Sequence, residues 1–157
     1  MINNDVLRAV RYMLDLSETH VAQIIQLADP SVMLSREDVQ ALLKKDGEAG
    51  VVECSNRVLA LFLDGLVVHR RGRDDSRPPR PLETRVSNNV VLKKLRVAFE
   101  LKDVDMHQIL AAAGLPLSKP EMSALFRQAG HKNFRPCGDQ LLRNFLKGLT
   151  LRLRGSD

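Results

Sequence analysis

The chain has 157 residues, 44% of them hydrophobic, and a net charge of +5 at pH 7. That is an ordinary globular composition, sized for one compact domain or two small ones. No apolar run of roughly 18 residues appears, so no bilayer-spanning helix is expected; the opening Met1-Ile2-Asn3-Asn4-Asp5 lacks the basic stretch and apolar run of a secretory signal, and a cytoplasmic protein is expected.

In chain order, Val6, Leu7, Val10 and Leu14 recur at helical spacing after Asn3-Asn4, residues suited to an N-cap, which predicts a first helix over residues 4 to 15. Ser17 is placed to cap a second helix carrying Val21, Ile24, Ile25 and Ala28. Asp29-Pro30 stops it, because a residue before proline is pushed out of the α region. Ser35-Arg36-Glu37-Asp38 has the serine and acid of a capping box, followed by Val39, Leu42 and Leu43 as an apolar stripe. Gly47 and Gly50 break this third helix, and a fourth runs from about Ser55 to Val68 and ends near Gly72. The polar, proline-rich stretch Arg73-Asp74-Asp75-Ser76-Arg77-Pro78-Pro79-Arg80-Pro81 reads as a semi-extended surface linker within residues 73–86.

The chain then repeats itself. Asn3-Asn4-Asp5-Val6-Leu7-Arg8 is echoed by Asn88-Asn89-Val90-Val91-Leu92-Lys93 at a shift of 85, and Phe62-Leu63-Asp64-Gly65-Leu66 by Phe145-Leu146-Lys147-Gly148-Leu149 at a shift of 83. One copy therefore has two fewer residues in a turn between these points. Val91, Leu92, Leu95 and Phe99 predict helix one of the second copy, and Met106, Ile109, Leu110 and Ala113 predict helix two before Gly114. Ser118 caps helix three with Met122, Leu125 and Phe126, and helix four starts near Pro136, carrying Leu141, Leu142, Phe145 and Leu149. No alternating strand pattern appears. The expected fold class is all-α, a tandem duplication of a four-helix unit, with repeats at 1–72 and 87–157.

Gly65 and Gly148 fall inside the fourth helices, where glycine costs about 1 kcal/mol relative to alanine; matched glycines there point to a close helix approach, with the contact between copies as one place for it. Cys54 and Cys137 are also matched and have no Cys-x-x-Cys spacing, so neither a disulfide framework nor a zinc knuckle is expected. Burial on an apolar helix face is the first reading of these thiols, a redox or catalytic role the second. Arg11 and Arg96 each precede an acid by four residues, Asp15 and Glu100, the spacing of an ion pair on helix one.

The charges do not repeat. Residues 1–72 carry 8 Lys or Arg against 10 Asp or Glu, whereas residues 87–157 carry 12 against 6. A basic half attracts polyanions first. In this half, two short helices joined through Gly114, with Ser118 opening the second, resemble the helix-turn-helix of phage-repressor-like domains, with a turn about two residues longer than in those repressors. Four-helix packing that merely shares the pattern is the other reading. Gly130-His131-Lys132-Asn133-Phe134-Arg135-Pro136-Cys137-Gly138-Asp139 is a basic loop feeding helix four. Free backbone amides and the helix dipole there would favour an anion, with Lys132, Arg135 and Arg143 adding charge, against the alternative of a merely solvated loop.

The four histidines, His20, His69, His107 and His131, fall opposite Asp105, Arg152, Ala22 and Glu48 rather than one another, so no metal site is expected. No phosphate-binding glycine loop, nucleophile elbow or dinucleotide fingerprint occurs, so no cofactor and no enzyme activity are expected.

Asn88-Asn89, Leu92-Lys93-Lys94-Leu95-Arg96, Ser118-Lys119-Pro120-Glu121, Gly130-His131-Lys132-Asn133, Cys137-Gly138-Asp139 and Asn144-Phe145-Leu146-Lys147-Gly148-Leu149 closely resemble the bacterial YehS family. So do Val52-Glu53-Cys54-Ser55 and Phe62-Leu63-Asp64-Gly65-Leu66 in the first copy. The resemblance covers the chain outside the linker and implies a cytoplasmic bacterial protein of tandem domains without an assigned active site.

The leading functional expectation is a noncatalytic nucleic-acid-binding module contacting phosphate backbone. Its candidate contacts are Lys93, Lys94, Arg96, Lys119, Arg127, His131, Lys132, Arg135 and Arg143. The competing expectation is a protein-interaction or self-association scaffold in which paired fourth helices form the contact. DNA and RNA both remain open as partners.

Overall fold

The computed structural model describes residues 1–78 and 80–155. Pro79, within the expected linker, and Ser156 and Asp157, at the end of the second repeat, lie outside the described residues. Among the described residues the chain is all-helical, with four helices in each repeat and no strand. The first repeat holds α1 (Asn3–Met13), α2 (Glu18–Ala28), α3 (Arg36–Leu43) and α4 (Asn56–Arg71); the second holds α5 (Asn88–Ala98), α6 (Asp103–Ala112), α7 (Lys119–Leu125) and α8 (Asp139–Arg154). The chain divides into two compact units, Met1–Val86 and Ser87–Asp157. The segment after α4 begins tied to the first unit, where Arg73 Nη2 donates to Leu27 O at 2.7 Å.

Serine caps start most helices. Ser17, Ser55 and Ser87 hydroxyls accept from the amides of His20, Val58 and Val90. Ser35 and Ser118 form reciprocal boxes with Asp38 and Glu121, each satisfying two orphan groups at the helix start. Three boundaries differ from the sequence expectation. Asn3 and Asn4 sit inside the first turn of α1 and do not cap it. Helix four of the second repeat starts at Asp139, after an N-cap at Gly138, so Pro136 belongs to the preceding loop.

The third concerns Asp15 and Glu100, which lie beyond their helices with φ of 53°. Helix one ends in the same way in both units: Leu16 N bonds Arg11 O and Asp15 N bonds Tyr12 O, matched by Leu101 N to Arg96 O and Glu100 N to Val97 O. This pattern of paired terminal bonds around a left-handed residue is the Schellman end. The expected helical ion pairs of Arg11 and Arg96 are therefore replaced by another contact. Arg11 Nε donates to Leu16 O at 2.9 Å and Arg96 Nε to Leu101 O at 3.1 Å, so each arginine braces the turn that follows its helix.

Each unit closes over its own core. Leu7, Val10, Val21, Ile25, Val39, Leu59, Phe62 and Leu66 are buried in the first, and Leu92, Leu95, Met106, Leu110, Leu125, Leu142, Phe145 and Leu149 in the second. The principal packing is α2 on α4 in the first unit and α6 on α8 in the second. Gly65 and Gly148 decide how close these pairs come. A Cβ at Gly65 would lie 1.8 Å from Ile24 O, and one at Gly148 would lie 2.2 Å from Ile109 O. The close helix approach expected at the matched glycines is thus the crossing inside each repeat.

Candidate nucleic-acid interface

The loop before helix four is held by two adjacent asparagines, and its construction is the same in both repeats. In the first, Asn4 is fully buried and spends its whole amide: Nδ2 donates to Leu42 O at 2.9 Å and Val52 O at 2.8 Å, while Oδ1 accepts from Cys54 N at 2.9 Å. In the second, Asn89 Nδ2 donates to Leu125 O and Arg135 O, both at 2.9 Å, and Oδ1 accepts from Cys137 N at 2.8 Å. The preceding asparagines extend the tie. Asn3 Nδ2 reaches Cys54 O and Asn56 Oδ1, and Asn88 Nδ2 reaches Cys137 O and Asp139 Oδ1. Two side chains at the start of helix one therefore fix the end of helix three, the loop and the start of helix four. The doubled Asn-Asn was visible in the sequence; its role was not.

The loop backbones match as well. Glu48 N to Lys45 O, Val51 N to Glu48 O and Val52 N to Ala41 O correspond to His131 N to Gln128 O, Phe134 N to His131 O and Arg135 N to Ala124 O. Asn133 N is also taken, by His131 Nδ1 at 3.0 Å. Together with the Cys137 amide, the loop amides of His131, Asn133, Phe134 and Arg135 are thus bonded within the unit. Asp139 further places a carboxylate in the first turn of α8, bonded by Asn88 at 2.8 Å. At the helix start itself the N-cap Gly138 makes no side-chain cap hydrogen bond, so an anion there would meet the helix dipole together with the Asp139 carboxylate.

The expected basic residues fall into two groups. Lys93 on α5, Lys119 at the first position of α7, Arg127 just past α7, His131 and Lys132 in the loop, and Arg143 on α8 are exposed. Arg8, the counterpart of Lys93, donates from Nη1 to the carbonyl of Lys44, the counterpart of Arg127, at 3.1 Å. The repeat thus assigns Lys93 and Arg127 to one corner of the second unit. Lys147 also belongs to this exposed group. It lies one helical turn beyond Arg143, where the first repeat has Asp64, and the spacing of four could have found it.

The other group is engaged inside the unit. Arg96 is half-buried, bonds Leu101 O, pairs with Asp103 at 2.6 Å and lies 4.7 Å from the centroid of the Phe126 ring. Arg135 is exposed but pairs with Glu121 at 3.2 Å. The Glu121 carboxyl is held below its usual pKa, first by the backbone amide and hydroxyl of Ser118 and then by Arg135. Lys94 is half-buried on α5. Outside the candidate set, Arg152 pairs with Asp105 and also reaches Gln108.

Both thiols are buried, Cys54 at 1% and Cys137 at 5% exposure. Burial pushes the Cys54 thiol up to about 12. Cys137 rises to about 11, chiefly through burial, with Arg135 opposing and Asp139 assisting. A protonated thiol is a poor nucleophile and a poor ligand. Among the described residues no group of three or more His, Cys, Asp or Glu could hold a metal ion, and no helix is long and apolar enough to cross a membrane.

No solved structure matches the chain. The "Uncharacterized protein YehS" of Escherichia coli (strain K12) is 44% identical over 152 residues, spanning 97% of this chain and 96% of that relative. The profile described as "Protein of unknown function (DUF1456)" matches twice, over residues 3–72 and 88–155, one match for each repeat. The chain therefore belongs to that family, as a tandem pair of its helical repeats.

Proposed function

We propose that the protein is a noncatalytic, cytoplasmic nucleic-acid-binding module that contacts phosphate backbone through its second repeat. One observation carries the reading. The loop before helix four keeps its hydrogen bonds in both repeats, yet its charge reverses from Asp46, Glu48 and Glu53 in the first to Lys132 and Arg135 in the second. A loop held from behind by Asn88 and Asn89 presents its cations without first having to be ordered, which lowers the entropic cost of binding. Lys93, Lys119, Arg127 and Arg143 extend the positive field over neighbouring elements.

The test is titration of the full chain against duplex DNA, single strands and structured RNA over a range of salt. Affinity falls steeply with salt, log K dropping by about 0.9 per duplex phosphate neutralised. A Lys132→Glu, Arg135→Glu double variant binds more weakly than the parent and shows a shallower slope. Absence of binding to all three polyanions at low salt ends the reading. Equal affinities of parent and variant remove the loop from it.

A second reading, a self-association or protein-interaction scaffold, is favoured by exposed apolar side chains at Val104, Leu151 and Leu153, which are 57%, 36% and 40% exposed. The glycines of the fourth helices no longer support it, since they are occupied by crossings within each repeat. Sedimentation across a concentration series separates the two: a monomer at high concentration excludes the self-association form.

A further inference from the structure

Resting on the nucleic-acid reading above, we infer that phosphate binding by the second repeat is coupled to a proton on His131: the neutral imidazole closes the loop before helix four, and the imidazolium opens it toward a phosphate.

The hydrogen bonds of the loop single out this residue. The amides of His131, Phe134 and Arg135 donate to the carbonyls of Gln128, His131 and Ala124, and that of Cys137 donates to Asn89 Oδ1. Amide oxygens of this kind take up no proton near neutrality. The amide of Asn133 donates instead to His131 Nδ1 at 3.0 Å. A backbone N–H can only donate, so Nδ1 presents its lone pair and the ring is neutral, with its hydrogen on Nε2. The first repeat fills the same position with Glu48, whose Oε1 accepts from Lys45 N at 3.0 Å. Both repeats therefore use this side chain to accept a loop amide. Only in the second is the acceptor a histidine, the side chain that ordinarily changes charge between about pH 5 and 8.

His107, the other histidine of the second repeat, is placed in the opposite sense. Its Nδ1 lies 3.1 Å from Leu117 O. A carbonyl accepts, so this ring donates there whether neutral or charged, and its bond survives protonation.

A proton taken from solvent by His131 occupies Nδ1 and ends the bond to Asn133. Two N–H groups, the imidazolium's and the amide's, then lose their internal partner at the exposed residues flanking Lys132. The carboxylates of the neighbouring elements are already engaged. Glu121 on α7 holds Ser118 and Arg135, and Asp139 at the start of α8 accepts from Asn88. Asp103 and Asp105 on α6 pair with Arg96 and Arg152, and Glu100 after α5 is engaged as well. The other charged groups of the loop and its neighbouring elements are the cations Lys93, Lys119, Arg127, Lys132, Arg135 and Arg143. A counter-charge for the imidazolium thus comes from outside the unit. A phosphate seated beside it favours the charged ring over the neutral one, and by the reciprocity of linkage the protonated protein binds phosphate more tightly. Loss of the Asn133 bond is the smaller effect, since a charge-assisted bond is roughly twice as strong as the neutral one it replaces.

Fluorescence anisotropy with the full chain at constant ionic strength tests this on labelled duplex DNA, single-stranded DNA and structured RNA, between about pH 7.5 and about pH 5.5. For every probe that binds, affinity rises by at least about threefold on acidification, from uptake of a single proton, and on duplex DNA the salt slope steepens by about 0.9. His131→Asn keeps a side-chain acceptor for the Asn133 amide and takes up no proton. It retains the far-UV circular dichroism of the parent and loses the pH dependence, whereas His107→Gln keeps that dependence. Long-range proton–nitrogen NMR of the parent without ligand reads a His131 tautomer with its hydrogen on Nε2 at about pH 7.5. A flat or falling affinity on acidification, an unchanged pH dependence in His131→Asn, or a hydrogen on Nδ1 of the neutral ring overturns the inference and leaves the nucleic-acid reading intact. Absence of binding to all three probes at both ends of the range removes that reading and the inference together.

Discussion

In the first repeat, Asn4 ties down a loop carrying Asp46, Glu48 and Glu53; in the second, Asn89 ties down a loop of the same hydrogen bonding that carries His131, Lys132 and Arg135. The partners of both asparagines are main-chain atoms, which any side chain supplies. Loop positions facing solvent could therefore change sign while the frame remained. The same separation holds for helix one, where Arg11 and Arg96 brace the following turn in both repeats, whereas Arg8 has become Lys93. The asparagine clamps and the turn-bracing arginines were kept, whereas the loop charges diverged, as did Arg8, whose bond to the Lys44 carbonyl is peculiar to the first repeat. Function in this molecule is best sought where the repeats disagree.

The sharpest way to break this comparison is at the helix crossings. Gly65→Ala forces a methyl group to within 1.8 Å of a carbonyl oxygen, against 2.2 Å for Gly148→Ala. Backbone atoms cannot yield as a flexible side chain does. A net loss of about 3 kcal/mol is expected for Gly65→Ala and about 2 kcal/mol for Gly148→Ala, after the gain in helix propensity. Urea denaturation measures both, and a stabilised alanine variant at either site would contradict the crossing geometry.

Next come the asparagines. Asn4→Ala strands the carbonyls of Leu42 and Val52 and the amide of Cys54, at a cost of about 3 kcal/mol where the groups are buried. Asn89 is less deeply buried than Asn4, so water can replace part of what Asn89→Ala removes, and a loss of about 2 kcal/mol is expected. Equal losses would mean that burial does not distinguish the two clamps. Hydrogen exchange at the Cys54 and Cys137 amides gives an independent readout, each accelerating only in the variant of its own repeat.

The smallest difference lies in the thiols. With pKa values near 12 and 11, both react slowly with a thiolate-selective reagent at pH 8 in the native state, and Cys137 is modified before Cys54. The sign follows from burial, which disfavours the charged form and raises a thiol's pKa. The native state accordingly holds these protons longer than the unfolded chain, and the stability this contributes is present below the unfolded thiol's value of about 8.5 and declines as pH rises toward 11 and 12. Rapid native labelling of Cys54 would remove the buried assignment.

Much of the fold was legible because it depends on local rules. Ser17, Ser35 and Ser118 announce helix starts through their own side chains, and the apolar spacings at Val6, Val10, Ile24 and Ile25 report a buried face whatever lies across from it. Less of the candidate interface was legible. Nine candidate contacts could be named, but the engagement of Arg96 with Phe126 and Asp103, and of Arg135 with Glu121, depends on residues 7 to 30 positions away. A linear spacing carries no record of such meetings. The expected Arg11–Asp15 and Arg96–Glu100 pairs failed for a related reason: the helix ends two residues before each acid, and the left-handed turn carries the carboxylate off the helix face.

By itself, the sequence determined the all-α class, the duplication, the caps at Ser17, Ser35 and Ser118 and the concentration of positive charge in the second repeat, since each follows from residue type, period or count. Tertiary structure decided the rest. Only there do Asn4 and Asn89 find three backbone partners each, Gly65 and Gly148 meet the carbonyls of Ile24 and Ile109, and the basic residues divide into those paired within the unit and those turned to water. These are contacts between segments far apart in the chain, fixed by the packing of α2 on α4 and α6 on α8, and packing sets distances that no single segment encodes.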